Sequence, residues 1–306
     1  MTNTPDHSAA LSSKTAHVGL IGIGNMGEPM AANLLKAGYS VQVYDVDPSK
    51  GAKFVAAHGG SYAATLAEIG RNCNVIITMV PDGKIVRKVV LGDGGSDHVL
   101  SAAAHGTIII DMSSSSPVGT RELGIELAAR GTPFLDAPVS GGVKGAAAAT
   151  LAIMVGGDEA LAQRCDPLLA AMGKRFYIGA LGAGHAMKVL NNYVSAAGLM
   201  AAGEAVLIGK NFGIAPQKMI DVINASTGRN NSTENKFSQF ILNKKFNSGF
   251  SMGLMAKDLA LAMEVAGSCG ISAELGHATL ALWKAAETKL TGKADHTEVV
   301  RHFGEI

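Results

Sequence analysis

Val18-Gly-Leu-Ile-Gly22-Ile-Gly24-Asn25-Met26-Gly27 is a short apolar run that flows into a glycine turn, and Glu28-Pro29 and an Ala/Leu-rich run to Lys36-Ala37-Gly38 follow it. A second apolar run, Val41-Gln-Val-Tyr44, ends at Asp45, 23 positions after Gly22. Strand, glycine turn, helix, strand and terminal acid stand here in the order of a dinucleotide-binding unit. Each glycine has a separate task. Gly22 permits the tight turn, Gly24 lets backbone approach a pyrophosphate, and Gly27 lets helix and strand pack closely. Asn25 and Met26 complete the turn, and the helix start offers N–H groups and partial positive charge to phosphate. Asp45 is placed to accept from an adenosine ribose. The alternative is an ordinary glycine-rich turn, but such a turn requires neither the second strand nor its acid.

Outward from this unit, the 306 residues suffice for two domains. Lys and Arg number 26 against 25 Asp and Glu, so no electrostatic footprint for nucleic acid or an anionic membrane is present. The three cysteines, Cys73, Cys165 and Cys269, lack C-x-x-C spacing and read as buried thiols of a reducing compartment. No His/Asp/Glu/Cys cluster offers a metal site. Residues 1–16 are polar, without the apolar core of a signal peptide, and read as a flexible tail. The apolar stretch around Val194 to Ile208 is interrupted by Glu204 and too short for a membrane span, so a cytoplasmic protein is expected.

Up to about Gly179 short β-rich runs alternate with helical ones. Strands are expected at Val18–Ile21, Val41–Tyr44, Val75–Met79, Thr107–Ile110, Phe134–Leu135, Leu151–Val155 and Arg175–Ile178. Helices are expected at Pro48–Ala57, Ile85–Val90, Pro117–Arg130 and Glu159–Met172. That alternation implies an α/β fold with a doubly wound, mostly parallel sheet of the Rossmann type over residues 17–180. From residue 181 to 306 the pattern is helical throughout and is entered by a long helix. In such sheets ligands sit beyond the carboxyl ends of strands. The segments there are Val80-Pro81-Asp82, Asp111-Met-Ser-Ser114 and Asp136-Ala-Pro-Val-Ser140-Gly141-Gly142.

The candidate for chemistry is Gly182-Ala-Gly184-His-Ala-Met-Lys188-Val-Leu-Asn-Asn192. Lys188 and Asn192 are four apart and share one helix face. A lysine flanked by Met187, Val189 and Leu190 faces desolvation, which disfavours the ammonium form and would let it exchange protons near neutral pH. Asn192 can both donate and accept, which suits orienting a hydroxyl. A lysine snorkelling to solvent is the competing reading. Ser140-Gly141-Gly142 could hold a carboxylate through hydroxyl and backbone N–H groups, or be a plain turn. His185, three positions before Lys188, could face the site or, as a helix-entry histidine more often does, act as a cap; Arg229-Asn-Asn231 reads as either a substrate-shaping segment or a solvated loop, and Trp283 and Phe303 as core or subunit-contact residues.

Four ordered motifs, Gly22-Ile-Gly24-Asn-Met-Gly27, Asp136 to Gly142, Gly184 to Asn192 and Lys257-Asp258, make the chain from Ala16 onward resemble the β-hydroxyacid dehydrogenases. That family includes 3-hydroxyisobutyrate dehydrogenase and tartronate semialdehyde reductase. The resemblance implies a hydride exchanged between a nicotinamide and a small 3-hydroxy acid or its semialdehyde. It also implies Lys188 as general acid/base and Asn192 as its partner in placing substrate. Ser140, Gly141 and Gly142 would bind the substrate carboxylate. Val80, Pro81 and Ser114 would line the cofactor site, which Lys257 would reach from the helical domain. A homodimer or homotetramer through that domain is implied as well.

Asp45, followed by Val46-Asp47-Pro48 and no arginine, favours NAD over NADP, with Lys50 and Lys53 the counter-signal. Two other readings compete. An imine reductase shares the fold, but such sequences typically replace the lysine at the position of Lys188. A non-catalytic NAD-binding sensor would keep the glycine turn without turnover.

Overall fold

A computed structural model describes residues 10–306. The chain divides into two compact units, residues 1–188 and 189–306. In the first unit nine strands form one sheet: β1 His17–Ile21, β2 Ser40–Tyr44, β3 Ser61–Tyr62, β4 Val75–Thr78, β5 Ile108–Asp111, β6 Phe134–Asp136, β7 Val139–Ser140, β8 Leu151–Gly156 and β9 Gly173–Gly179. The order is β3-β2-β1-β4-β5-β6-β8-β7, with β9 beside β8. β1 to β6 all run parallel in the 3-2-1-4-5-6 order of a Rossmann sheet. β8 reverses direction against β6 and β7, and β9 runs parallel to β8.

The apolar runs explain why both faces are covered. Val75 and Ile77 point into one core with Val18, Leu20, Ile108 and Ile110, while Ile76 and Ile109 point into the other with Ile21, Val86 and Leu127. A strand buried on both faces needs such a continuous run rather than alternation with polar residues. The helices Gly27–Lys36, Pro48–His58, Gly83–Leu91 and Pro117–Ala128 supply the covering layers.

Five short elements of the first unit lie outside the expected set: β3, β7, the helices Leu66–Asn72 and Gly142–Ala147, and a 3-10 turn at Val99–Ser101. The expected helix Glu159–Met172 is two, Glu159–Arg164 and Asp166–Ala170, because Pro167 lacks the N–H that would carry the helix through. Within the stretch read as a flexible tail, residues 1–9 lie outside the described residues. Leu11 and Ala16, by contrast, are buried in the sheet core, and the Leu11 N–H donates to the Arg164 carbonyl oxygen at 2.8 Å. The Leu11 carbonyl oxygen also accepts from the Tyr39 hydroxyl at 3.4 Å, and the Thr15 carbonyl oxygen from Asn74 Nδ2 at 2.8 Å.

The cysteine expectation also needs correction. Cys73 and Cys165 are buried, and burial pushes both thiols up to about 12, but Cys269 is exposed. It follows a helix end, where the chain turns outward rather than into the core.

Residues 189–306 are helical among the described residues apart from one bridge between Ser251 and Asp295. The helix Ala183–Asn211 enters the unit, followed by Pro216–Asn224, Asn231–Asn235, Met252–Ser268 and Glu274–Leu290. Leu199, Val206, Phe237, Met252, Leu259 and Val299 surround fully buried Trp283. Phe303 packs at the edge of the same core. Asn231–Asn235, within the polar stretch read as a possible loop, is a short helix closed by a capping box from Asn230 and Thr233. No helix among the described residues is long and apolar enough to cross a membrane.

Candidate active site

The first unit gathers most of the expected residues at the carboxyl edge of its sheet. Gly22 follows β1 with φ +95°, and a Cβ there would meet the Met79 carbonyl oxygen. A Cβ on Gly27 would run into the Gly22 carbonyl oxygen, so the turn and the helix Gly27–Lys36 close only with glycine at both positions. Gly24 is the opposite case: nothing lies within 4 Å of where its Cβ would be. The helix start at Met26 carries no side-chain cap, and Asn25 and Gly24 are exposed beside it. An open turn with N–H groups and no obstructing side chain fits a pyrophosphate.

Asp45 ends β2 and is only 7 % exposed. Its Oδ2 accepts from the Ile23 N–H at 3.1 Å and its Oδ1 from the Asp47 N–H at 3.0 Å. Lys50 Nζ donates to the same carboxylate at 3.2 Å. The acid is therefore oriented against the glycine turn. Lys50, one of the two lysines that counted toward NADP, is engaged with it. These residues fit a dinucleotide.

Beyond β4, half-buried Val80 donates its N–H to Ser113 Oγ at 3.0 Å, while Pro81 is exposed. Beyond β5, Asp111 is buried and accepts from Thr78 Oγ1, the Ser113 N–H and Ser115 Oγ at 2.9, 2.9 and 2.6 Å. Ser114, half-buried, lies between these two serines. Ser140 ends β7, and Gly141 and Gly142 follow with φ +134° and +61°. Space is open where a Gly142 Cβ would stand, so the backbone after Ser140 is approachable.

Asp136, at the end of β6, has a task that sequence did not reveal. Its two oxygens accept from the N–H groups of Gly182 and His185, each at 2.7 Å. It thereby anchors the first turn of the helix Ala183–Asn211. His185 is not the cap; it is fully buried. Lys188 follows one turn later and is 8 % exposed, so it does not snorkel to solvent.

One further turn along the same helix is Asn192, in the second unit. It is buried, and its Nδ2 donates to Asp258 Oδ2 at 2.6 Å. The Asn191 Nδ2 donates to Asn192 Oδ1 at 3.2 Å, so the amide has one orientation. Lys257 is partly exposed, with Nζ 3.9 Å from Asp258 Oδ1. Asp258 thus holds Asn192, a role carried by a residue 66 positions away and visible in sequence only as half of the Lys257-Asp258 motif.

Residues 17–182 match the family described as the NAD binding domain of 6-phosphogluconate dehydrogenase. Residues 182–303 match the family described as NAD-binding of NADP-dependent 3-hydroxyisobutyrate dehydrogenase. A 2-(hydroxymethyl)glutarate dehydrogenase from Eubacterium barkeri is 37 % identical over 294 residues, 96 % of each chain.

The chain belongs to the β-hydroxyacid dehydrogenase family. Among solved structures, a 3-hydroxyisobutyrate dehydrogenase of Mycobacterium tuberculosis described with L-serine is similar at TM-score 0.86 and 37 % identity, covering 94 % of this chain and 99 % of that one. An imine reductase from Pseudomonas sp. covers as much of this chain at TM-score 0.58 but 18 % identity, a likeness of fold alone.

Proposed function

We propose that the chain is an NAD-preferring dehydrogenase of small 3-hydroxy acids, running between the alcohol and its semialdehyde with Lys188 as general acid/base. The observation that carries this reading is a buried lysine one helical turn before an asparagine whose amide is fixed by a buried aspartate. The substrate class follows from the relatives' names. 2-(Hydroxymethyl)glutarate, 3-hydroxyisobutyrate and L-serine all carry a primary alcohol on the carbon next to the one bearing the carboxylate.

Gly22, Gly24, Asn25, Met26, Gly27 and Asp45 would hold the dinucleotide, with Val80, Pro81 and Ser114 lining its site. Lys257 is assigned to the cofactor on family likeness. Bound there, the nicotinamide supplies the two-electron acceptor for oxidation and the donor for reduction. Ser140 and the backbone of Gly141 and Gly142 bind the substrate carboxylate, and Asn192 orients its hydroxyl. In oxidation neutral Lys188 takes the proton from that hydroxyl as the carbonyl forms; in reduction its ammonium returns it. Holding the reacting groups in contact can supply roughly 7–11 kcal/mol of the barrier.

Asp45 supports NAD, because a carboxylate that accepts from a ribose hydroxyl repels a 2′-phosphate. Exposed Leu190, Val194 and Ile208 follow one face of the helix Ala183–Asn211 and Phe212 follows its end, with Val194, Ile208 and Phe212 exposed by 68, 70 and 85 %. An apolar stripe of this kind supports a homodimer or homotetramer through the helical unit in a cytoplasmic protein.

The deciding experiment mixes the protein with NAD and a panel of carboxylates bearing a neighbouring primary alcohol, following NADH absorbance. Turnover that disappears in Lys188→Ala, with NAD affinity retained, is expected. NAD binding without turnover of any hydroxy acid with NAD, or of any corresponding semialdehyde with NADH, would leave the sensor reading in its place.

A further inference from the structure

His185 is a fully buried ring whose polar surroundings exceed what packing alone requires. Its Nε2 lies 3.1 Å from the Ser113 carbonyl oxygen and its Nδ1 2.9 Å from Thr120 Oγ1. The Asp111 and Asp136 carboxylates stand 3.6 Å from Nε2 and Nδ1 respectively. Nε2 faces oxygen acceptors, so it carries a hydrogen and donates to the Ser113 carbonyl. Ser113 in turn holds two neighbours. Its hydroxyl accepts from the Val80 N–H at 3.0 Å, and its N–H donates to Asp111 Oδ1 at 2.9 Å. A continuous set of bonds therefore leads from Val80, beyond β4, through Ser113, beyond β5, to the first turn of the helix that carries Lys188.

We propose that His185 is a positioning residue for Lys188, and that its Nε2–H bond to the Ser113 carbonyl is the contact that positions. The inference rests on the reading of Lys188 as the proton-transfer group. Asp136 holds the first turn through two backbone N–H groups, which fixes where the helix starts. The ring fixes how the helix is turned about its own axis, because it engages a second segment from the side. Lys188 lies three residues on, a rise of about 4.5 Å and most of a turn. An error in helix rotation therefore passes directly to Nζ, and a misplacement of about 1 Å can lower rate roughly a hundredfold. An apolar side chain of the same size would fill the space while leaving the Ser113 carbonyl unsatisfied.

Two substitutions separate the ring's nitrogens. His185→Gln sets an amide nitrogen near the position of Nε2, and His185→Asn sets one near Nδ1. His185→Gln should keep kcat within about threefold of the parent, whereas His185→Asn should lower kcat about tenfold or more with KM and NAD affinity little changed. Amide hydrogen exchange at Val80 and over residues 183–188 should quicken in His185→Asn and stay near the parent rate in His185→Gln. Melting temperatures of both variants show whether lost activity is merely lost folded protein. Equal kcat in the parent and both variants overturns the proposal, as do equal losses with equal exchange. If the parent turns over no hydroxy acid at all, the assigned reaction fails instead. The exchange comparison then decides by itself whether the Nε2 bond locks the two segments.

Discussion

Asp45 and Lys50 allow cofactor preference to be taken apart by charge. In Asp45→Ser the carboxylate disappears from a site where it accepts from the Ile23 N–H, the Asp47 N–H and Lys50 Nζ. A hydrogen bond to a charged group contributes about 1.5–3 kcal/mol, so losing the one proposed to the ribose should lower kcat/KM with NAD roughly ten- to a hundredfold. Removing the negative charge also removes repulsion toward a 2′-phosphate and releases Lys50, whose ammonium is at present paired at 3.2 Å.

Lys50 is 45 % exposed, so its pairing energy is small, about 0.2–1 kcal/mol, and little is lost by freeing it. The NADP rate in Asp45→Ser should therefore rise while the NAD rate falls. Adding Lys50→Ala should remove the NADP gain and leave the NAD loss in place. The assay is kcat/KM for each cofactor at saturating hydroxy acid in the parent, both single variants and the double variant. An NAD/NADP ratio unchanged by Asp45→Ser would refute the reasoning, and so would an NADP gain that survives Lys50→Ala.

Lys188→Ala should reduce turnover by roughly 10²–10⁴-fold, the usual contribution of a positioned acid/base, with NAD affinity from fluorescence titration within a few-fold. Burial and the nearby Lys236 charge lower the His296 ring to about 4, so its folded form stays neutral where the unfolded chain protonates. Stability from this group is complete above about 6.5 and is lost as pH falls from there toward 4, by up to roughly 3 kcal/mol. Denaturant midpoints across that window should fall in the parent and flatten in His296→Asn. Of the three thiols only Cys269 is exposed, so a thiol reagent should titrate one equivalent in the native protein and three after unfolding. Replacing Val194, Ile208 and Phe212 together by Ser should shift the species seen by light scattering toward the monomer; an unchanged mass would move the proposed contact elsewhere.

Local signals made β1, β2, β4 and β5 legible, because each is an apolar run closed by glycine, proline or acid and needs no partner to be recognised. β3 and β7, of two residues each, have no period to read. The glycine turn and Asp45 were legible for the same reason as the first strands: their geometry is built from 28 consecutive positions, 18 to 45.

The partners of the chemistry were not. Asp136 and His185 are 49 positions apart, and Asn192 and Asp258 are 66 apart. Nothing in a sequence links one buried acid to a particular N–H at that distance. The link is made by topology: once β6 pairs with β5 in the parallel order, its terminal acid stands at the sheet edge that bears the glycine turn. The same placement explains why His185 read as a cap. A histidine at a helix entry looks like a cap when the acid that performs the capping lies on a strand far away in sequence. That acid takes over the backbone N–H groups, and the ring is left to engage Ser113 and Thr120 from the side.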